Sequence, residues 1–376
     1  MVSPQEKKEA SRSRVRRVSA WRGLWFWVGM VAPLWVLVFE EASLARGSPE
    51  ACHGPRRCVW IRVSSGPPGK VVHLAAHPVD ERVVAAATRR GAFVSTDGGV
   101  SWTCVFRTGR GGASLQGETK EDGETAPTAQ DGGLWSGGTS SSVVGVVVGR
   151  KELLLATRRG LFSGPLHGPL RRDRGVMRGS SIRAVSRWRG KKDRFVAAVG
   201  RRLWAKSAGV WSPVSPLLEE RIKGLSLGPG ASQSLAVIGE KNLFLSSDRG
   251  KSFVRVALTA RPRSVALAAR RGAGVLFSVT SSLGVEVGHG RSGAYKVRKK
   301  KATGGALAGV VGDPSGRPES LLYWGSSAWI TRGGPLNWAR SFGLVGAPRA
   351  GVFLPTARTR PPRALVATAN GLFEGV

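Results

Sequence analysis

The sequence predicts an all-β chain: a seven-bladed β-propeller of four-stranded antiparallel blades, closed by an N-terminal strand that completes the last blade. Three observations predict it. Turn formers are abundant, with 52 Gly and 21 Pro in 376 residues, and short Val/Ala/Leu runs lie between them. One short motif recurs along the chain at intervals of roughly 40–45 residues, the length of one four-stranded blade. The last unit stops one strand short, and an unassigned strand pattern stands before the first.

The repeat is clearest in "ATRRGAF" (residues 87–93), "ATRRGLF" (156–162) and "ATANGLF" (367–373). Looser copies place equivalent positions at Trp204, Phe244, Val285 and Trp329, beside Phe93, Phe162 and Phe373. Within the first unit, "KVVHLAAHP" reads as the inner strand, "RVVAAAT" as the second, "AFVST" as the third and "SWTCVF" as the outer strand. The final unit ends at "ALVATANGLFEGV", which supplies a second and a third strand. Its outer strand is assigned to "RCVWIRVSS" (57–65), because a strand donated from the other end leaves no unpaired edge in the ring.

The segments outside the repeat have other compositions. Residues 1–45 pair a basic stretch with the apolar run 23–39 and then small residues, the order of a signal peptide or of an uncleaved membrane anchor. Residues 46–56 are a short linker, and 57–376 form the propeller. Residues 107–141 are rich in Gly, Ser and Thr and carry Glu118, Glu121, Asp122 and Glu124, so they read as a flexible insertion. The expected location is periplasmic or secreted, or the inner membrane if the anchor is retained.

The formal net charge is +34. A field of that sign attracts anionic partners, although Arg and Lys scattered over the whole length are also what a compositional bias produces. The densest basic run is "YKVRKKK", with Lys296, Arg298, Lys299, Lys300 and Lys301, and "RGKKDR" (189–194) is a second. Both are assigned to loops between strands, where they would hold an anionic polysaccharide or lipid or simply be solvated. Export argues against nucleic acid as the partner, and a monomer is expected.

Cysteines number three, Cys52, Cys58 and Cys104, consistent in an exported protein with one disulfide and one free thiol. A Cys58–Cys104 bridge would tie the closing strand to the first blade; a Cys52–Cys58 bridge would close a small loop. No Cys/His spacing suits a metal, and no cofactor is expected.

The octet "STDGGVSW" (95–102) falls between the third and outer strands of the first unit. A carboxylate at Asp97 accepts hydrogen bonds from backbone N–H groups just ahead of it, and glycines at 98 and 99 permit positive φ. Ser95 bonds back across the turn, and Trp102 offers apolar surface between blades. "SSDRGKSF" keeps Ser246, Asp248 and Gly250, with Phe253 in place of Trp, and "TRGGPLNW" (331–338) is a degenerate third copy. These octets resemble the Asp-box, or bacterial neuraminidase repeat, with the pattern Ser-x-Asp-x-Gly-x-x-Trp. The stretch 77–102 resembles a whole blade of the Asp-box propellers, closest in form to the photosystem II assembly/stability factor-like and sortilin-type propellers. The resemblance implies that Ser95, Asp97, Gly99, Trp102, Ser246, Asp248, Gly250 and Phe253 stabilise turns away from any active site.

Some relatives of that kind are glycoside hydrolases, and chemistry weighs against that activity here. A sialidase requires a Tyr nucleophile, and the tyrosines are Tyr295, in an outer-strand pattern that runs into the basic loop, and Tyr323, in a second-strand pattern. Other glycosidases need two carboxylates about 5–9.5 Å apart. Asp80, Asp97 and Asp248 are accounted for by turns, and Glu219, Glu220, Asp313 and Glu319 form no recognisable pair. The sequence therefore favours a non-enzymatic exported scaffold that binds envelope or secreted proteins, ahead of an anionic-ligand binder and then a glycoside hydrolase.

Overall fold

The computed structural model describes residues 57–107, 143–173, 181–188, 194–229, 233–269, 275–291, 294–300, 307–313, 321–331, 340–356 and 363–375. Residues 1–56, and nearly all of the proposed insertion, lie outside the described residues.

The chain is an all-β propeller of seven blades. Blade one is β2 (Val71–Ala76), β3 (Val84–Thr88), β4 (Gly91–Ser95) and β5 (Thr103–Arg107), and blade two is β6 (Val143–Val148), β7 (Glu152–Thr157), β8 (Gly160–Pro165) and β9 (Arg171–Arg172). Blade three follows with β10 (Ile182–Trp188), β11 (Arg194–Val199), β12 (Arg202–Ser207) and β13 (Val210–Pro213). Blade four is β14 (Gly224–Leu227), β15 (Leu235–Ile238), β16 (Leu243–Ser246) and β17 (Val254–Val256). Blade five is β18 (Pro262–Ala269), β19 (Val275–Ser281), β20 (Gly284–Arg291) and β21 (Ala294–Lys300). Each is an antiparallel meander in chain order, so a blade's first strand lies nearest the axis.

The remaining strands close the ring. Blade six is β22 (Gly309–Gly312), β23 (Leu321–Trp324) and β24 (Ala328–Ile330), and blade seven is β26 (Ala350–Phe353), β27 (Ala364–Ala367) and β28 (Leu372–Gly375), completed by β1 (Arg57–Ser64). Strand β1 runs antiparallel to β28, with Trp60 opposite Gly375 and Arg62 opposite Phe373. One strand departs from the simple meander. β25 (Arg340–Phe342), the fourth strand of the sixth unit, pairs parallel with β1, Val59 opposite Phe342, and so covers the outer edge of blade seven. The chain then turns at Gly343 (φ +78°), where a Cβ would lie 2.5 Å from the Trp60 carbonyl oxygen; only glycine allows so close an approach.

Packing follows the pleat. Alternate residues of a strand point to opposite faces, so each central strand feeds two interfaces. In β3, Ala85 and Ala87 pack toward blade two, while Val84 and Ala86 pack toward blade seven. Seven apolar clusters result among the described residues, one at each junction between neighbouring blades. Small residues in the inner strands are a geometric requirement, because the blades converge toward the axis.

Trp60 is the closing strand's main apolar contribution. It is 2% exposed and packs with Leu322 and Ile330 of blade six and Phe353, Val366 and Phe373 of blade seven. Its neighbour Ile61 is 56% exposed. Trp60→Ala should therefore destabilise the protein by about 3–5 kcal/mol, while Ile61→Ala should change stability by less than about 0.5 kcal/mol. Denaturant unfolding of the two variants checks the contrast; equal effects would mean that β1 is not docked as described.

Candidate functional site

The turn between β4 and β5 is a dense hydrogen-bond network. Asp97 Oδ1 accepts from the N–H groups of Val100 and Ser101, both at 3.0 Å, and Oδ2 accepts from the Ser101 hydroxyl at 2.5 Å. The Ser95 hydroxyl donates to Asp97 Oδ1 at 2.7 Å and accepts from Gly99 N–H at 2.7 Å. Burial pushes the Asp97 carboxyl upward, but donation from Ser101, Ser95 and Val100 outweighs it and holds the group at about 2.

The turn between β16 and β17 repeats this. Ser246 donates to Asp248 at 2.7 Å and accepts from Gly250 N–H at 2.8 Å, while Ser252 N–H donates to Asp248 at 3.0 Å. The Asp248 carboxyl is also held at about 2, its donors outweighing the upward push of burial. Arg249 stands where the first turn has Gly98 and takes φ +64°, a conformation that costs a non-glycine residue about 1–2 kcal/mol.

These turns face the preceding blade. Ser64, at the end of β1, donates to the Gly99 carbonyl at 2.6 Å, and the Trp102 indole donates to the same oxygen at 3.1 Å. Gly99 has φ +98°, and a Cβ there would sit 2.3 Å from the Leu372 side chain. Trp102 packs against the cluster shared by blades one and seven. Phe253 likewise packs against the cluster shared by blades three and four. The third octet, apart from Thr331, lies outside the described residues.

The basic run is not a loop. Residues 294–300 are β21, the outer strand of blade five, which places Lys296 opposite His289, Arg298 opposite Val287, Lys299 opposite Glu286 and Lys300 opposite Val285. At seven residues it is longer than the outer strands β5, β9, β13 and β17 of the four preceding blades. Lys301 and residues 189–193 of the second basic run lie outside the described residues.

The cysteine expectation also changes. Cys104, in β5 opposite Phe93, carries a free thiol whose Sγ lies 3.6 Å from the Phe106 carbonyl, so the Cys58–Cys104 bridge is not formed. Register explains this: position 58 lies beside Ser341 of β25 at the outer edge of blade seven, whereas Cys104 belongs to the outer strand of blade one. Cys52 lies outside the described residues.

Two further carboxylates, Glu220 and Glu219, meet partners nearby. Glu220 accepts from the Lys241 N–H at 2.8 Å and from Asn242; burial pushes its carboxyl up, but these donors hold it below the usual range. Glu219 meets Arg255 at 3.3 Å. Two ion-pair groups that the sequence did not signal join neighbouring blades. Lys206 of blade three meets Glu152 at 2.6 Å and Asp173 at 3.3 Å in blade two, and the Trp211 indole donates to Asp173. Arg363 binds Glu374 within blade seven and Glu81 of blade one at 2.8 Å, across the ring closure. Tyr323 is fully buried and shares a 2.8 Å hydrogen bond with Ser278, and burial pushes its phenol far upward. Among the described residues, no three His, Cys, Asp or Glu side chains converge as a metal-ligand group.

The propeller frame recurs in solved structures. An ancestral GH74 enzyme superposes with a TM-score of 0.56 at 13% identity, over 84% of this chain and 46% of the enzyme, so this chain spans less than half of that protein. The Pan2 WD40 domain of Neurospora crassa superposes with a TM-score of 0.57 at 11% identity, over 84% of this chain and 94% of the domain. No protein-family model matches the sequence. No curated protein matches it either. At these identities the likeness establishes the fold, a β-propeller.

Two substitutions test the local chemistry. Ser95→Ala leaves a buried Gly99 N–H without its acceptor and should cost about 1–3 kcal/mol, measured by denaturant unfolding. His73, wedged between blades one and two, has a buried Nδ1 without a hydrogen-bond partner. Burial lowers its pKa to about 4, against an opposing hydrogen bond to the Val146 backbone. The unfolded chain therefore binds this proton first, so the stability due to neutral His73 is complete above about pH 6.5 and is lost as pH falls toward 4. Unfolding between pH 7 and 4 should show this slope in the parent and a flatter one in His73→Leu; identical slopes would remove His73 from the pH response.

Proposed function

We propose that this chain is an exported, non-enzymatic propeller of the Asp-box kind that acts as a binding and assembly scaffold for proteins of the cell envelope. The observation that carries this reading is the closed ring itself. Every junction between blades is packed, while the connections at both ends vary in length and composition from blade to blade. A rigid frame with variable loops suits protein recognition.

The chemistry of the polar groups supports the same reading. Asp97, Asp248 and Glu220 accept hydrogen bonds from their own turns or adjoining loops, an arrangement that stabilises turns and leaves none of these three poised as a general acid. Tyr323 is buried and bonded, the opposite of an accessible nucleophile. The GH74 enzyme and the WD40 domain share one frame, so residues rather than fold decide between catalysis and binding. Export rests on the basic stretch and apolar run of residues 1–45.

In-cell crosslinking of the tagged full-length protein, followed by affinity capture and mass spectrometry, tests the proposal. The expected result is a short, reproducible set of envelope proteins enriched over an unrelated exported control. Enrichment of none, or of cytoplasmic proteins alone, would overturn it.

A further inference from the structure

The seven innermost strands share a register that exposes an arrangement hidden in the linear sequence. In each blade one residue of the first strand pairs with the same position near the end of the second: Ala184 with Ala198, Gly224 with Ile238, Ser264 with Thr280 and Ala350 with Ala367, for blades three, four, five and seven. The residue immediately before it is Arg183, Lys223, Arg263 and Arg349 in those blades, and Val72, Val144 and Ala308 in the others. All four cations are exposed, and none is paired with a carboxylate among the described residues.

All four lie at one end of the ring, because every first strand runs in the same sense and starts there. The turns between second and third strands lie at that end too. The loop entering blade four crosses the corresponding turn of blade three, with Leu218 N–H donating to Arg201 O and Ile222 N–H to Gly200 O, both at 2.8 Å. Their backbones are fixed in part by the sheet: the N–H groups of Lys223 and Arg349 each donate to the second strand of their own blade at 2.8 Å. Cations from four blades are thus held on rigid strand starts around the central opening.

We infer that this mouth of the propeller is a binding site for a compact anion carrying two or more phosphate groups, either free or displayed as a lipid headgroup. Four like charges held at one opening repel one another, and a multiply charged anion relieves that repulsion as it binds. Three of the four are arginines, whose planar forks take phosphate oxygens two at a time, and preorganised side-chain bases reduce the ordering cost. Cations set around an axis match a compact group; a long anionic chain would need them along a groove. The site is distinct from the β21 basic run and independent of the protein-binding proposal.

Isothermal titration of inorganic tripolyphosphate into the purified full-length protein tests it. One site per chain is expected, with affinity reduced about 100-fold in the combined Arg183→Ala, Lys223→Ala, Arg263→Ala, Arg349→Ala variant. The control variant Arg82→Ala, Lys151→Ala, Arg194→Ala, Lys251→Ala removes the same charge from exposed positions at the opposite end of the ring and should lose less than about 3-fold. If the combined variant does not fold, Arg263→Ala and Arg349→Ala singly should each lose about 10-fold. Equal losses in the combined and control variants, or several weak sites unaffected by either, would overturn the assignment in favour of a diffuse surface field. Retention on vesicles containing cardiolipin, whose headgroup carries two phosphates, competed by tripolyphosphate and lost in the combined variant, identifies the headgroup as the source. Tripolyphosphate binding without vesicle retention identifies the free anion.

Discussion

Ring closure is the constraint on which the rest of the structure depends. A propeller blade cannot bury both of its faces alone, so every blade relies on two neighbours. Here the last junctions exist because β1, at the start of the described residues, pairs with β28. Trp60 then fills the space between blades six and seven, Ser64 holds the Gly99 carbonyl of blade one, and Arg363 spans from Glu374 to Glu81. β25 adds a second layer of closure by covering the outer edge of β1. Apolar packing, a turn and an ion pair thus converge on one seam.

The Ser-x-Asp-x-Gly turns belong to that logic. Each satisfies its own backbone donors with one carboxylate and one serine hydroxyl and sets an aromatic ring, Trp102 or Phe253, against the blade before it; the first turn also fixes the Gly99 carbonyl there. In blade one that neighbour is the closing blade. The hydrogen-bond network around Asp97 is a device for stiffening a junction.

Much of this was legible in the sequence. The "ATRRGxF" recurrence marked the second and third strands, and the strand pattern of "RCVWIRVSS", standing before the first unit, supplied the strand that the last unit lacks. Local chemistry also identified the turn residues, because Ser, Asp and Gly act on backbone groups two to four positions away. What remained hidden depends on tertiary register. "YKVRKKK" has the composition of a solvated loop, and only its pairing with β20 makes it a strand. The parallel pairing of β25 joins residues about 280 positions apart, and Lys206 finds Glu152 across 54. The four mouth cations share no motif, since bulges shift the inner-strand register in blades three and five but not in four and seven.

In the readings proposed above, variable loops offer a surface to proteins and the strand starts around the axis offer fixed charge. Both require the seam between first and last strands to hold throughout the working life of the protein. Native-state hydrogen exchange at the amides of β1 and β28 measures that directly. Closure as described predicts that the paired amides around Trp60 and Arg62 exchange together with those of β28, at the free energy of global unfolding. Exchange of β1 at a much lower free energy, with β28 still protected, would show a ring that is closed by something else.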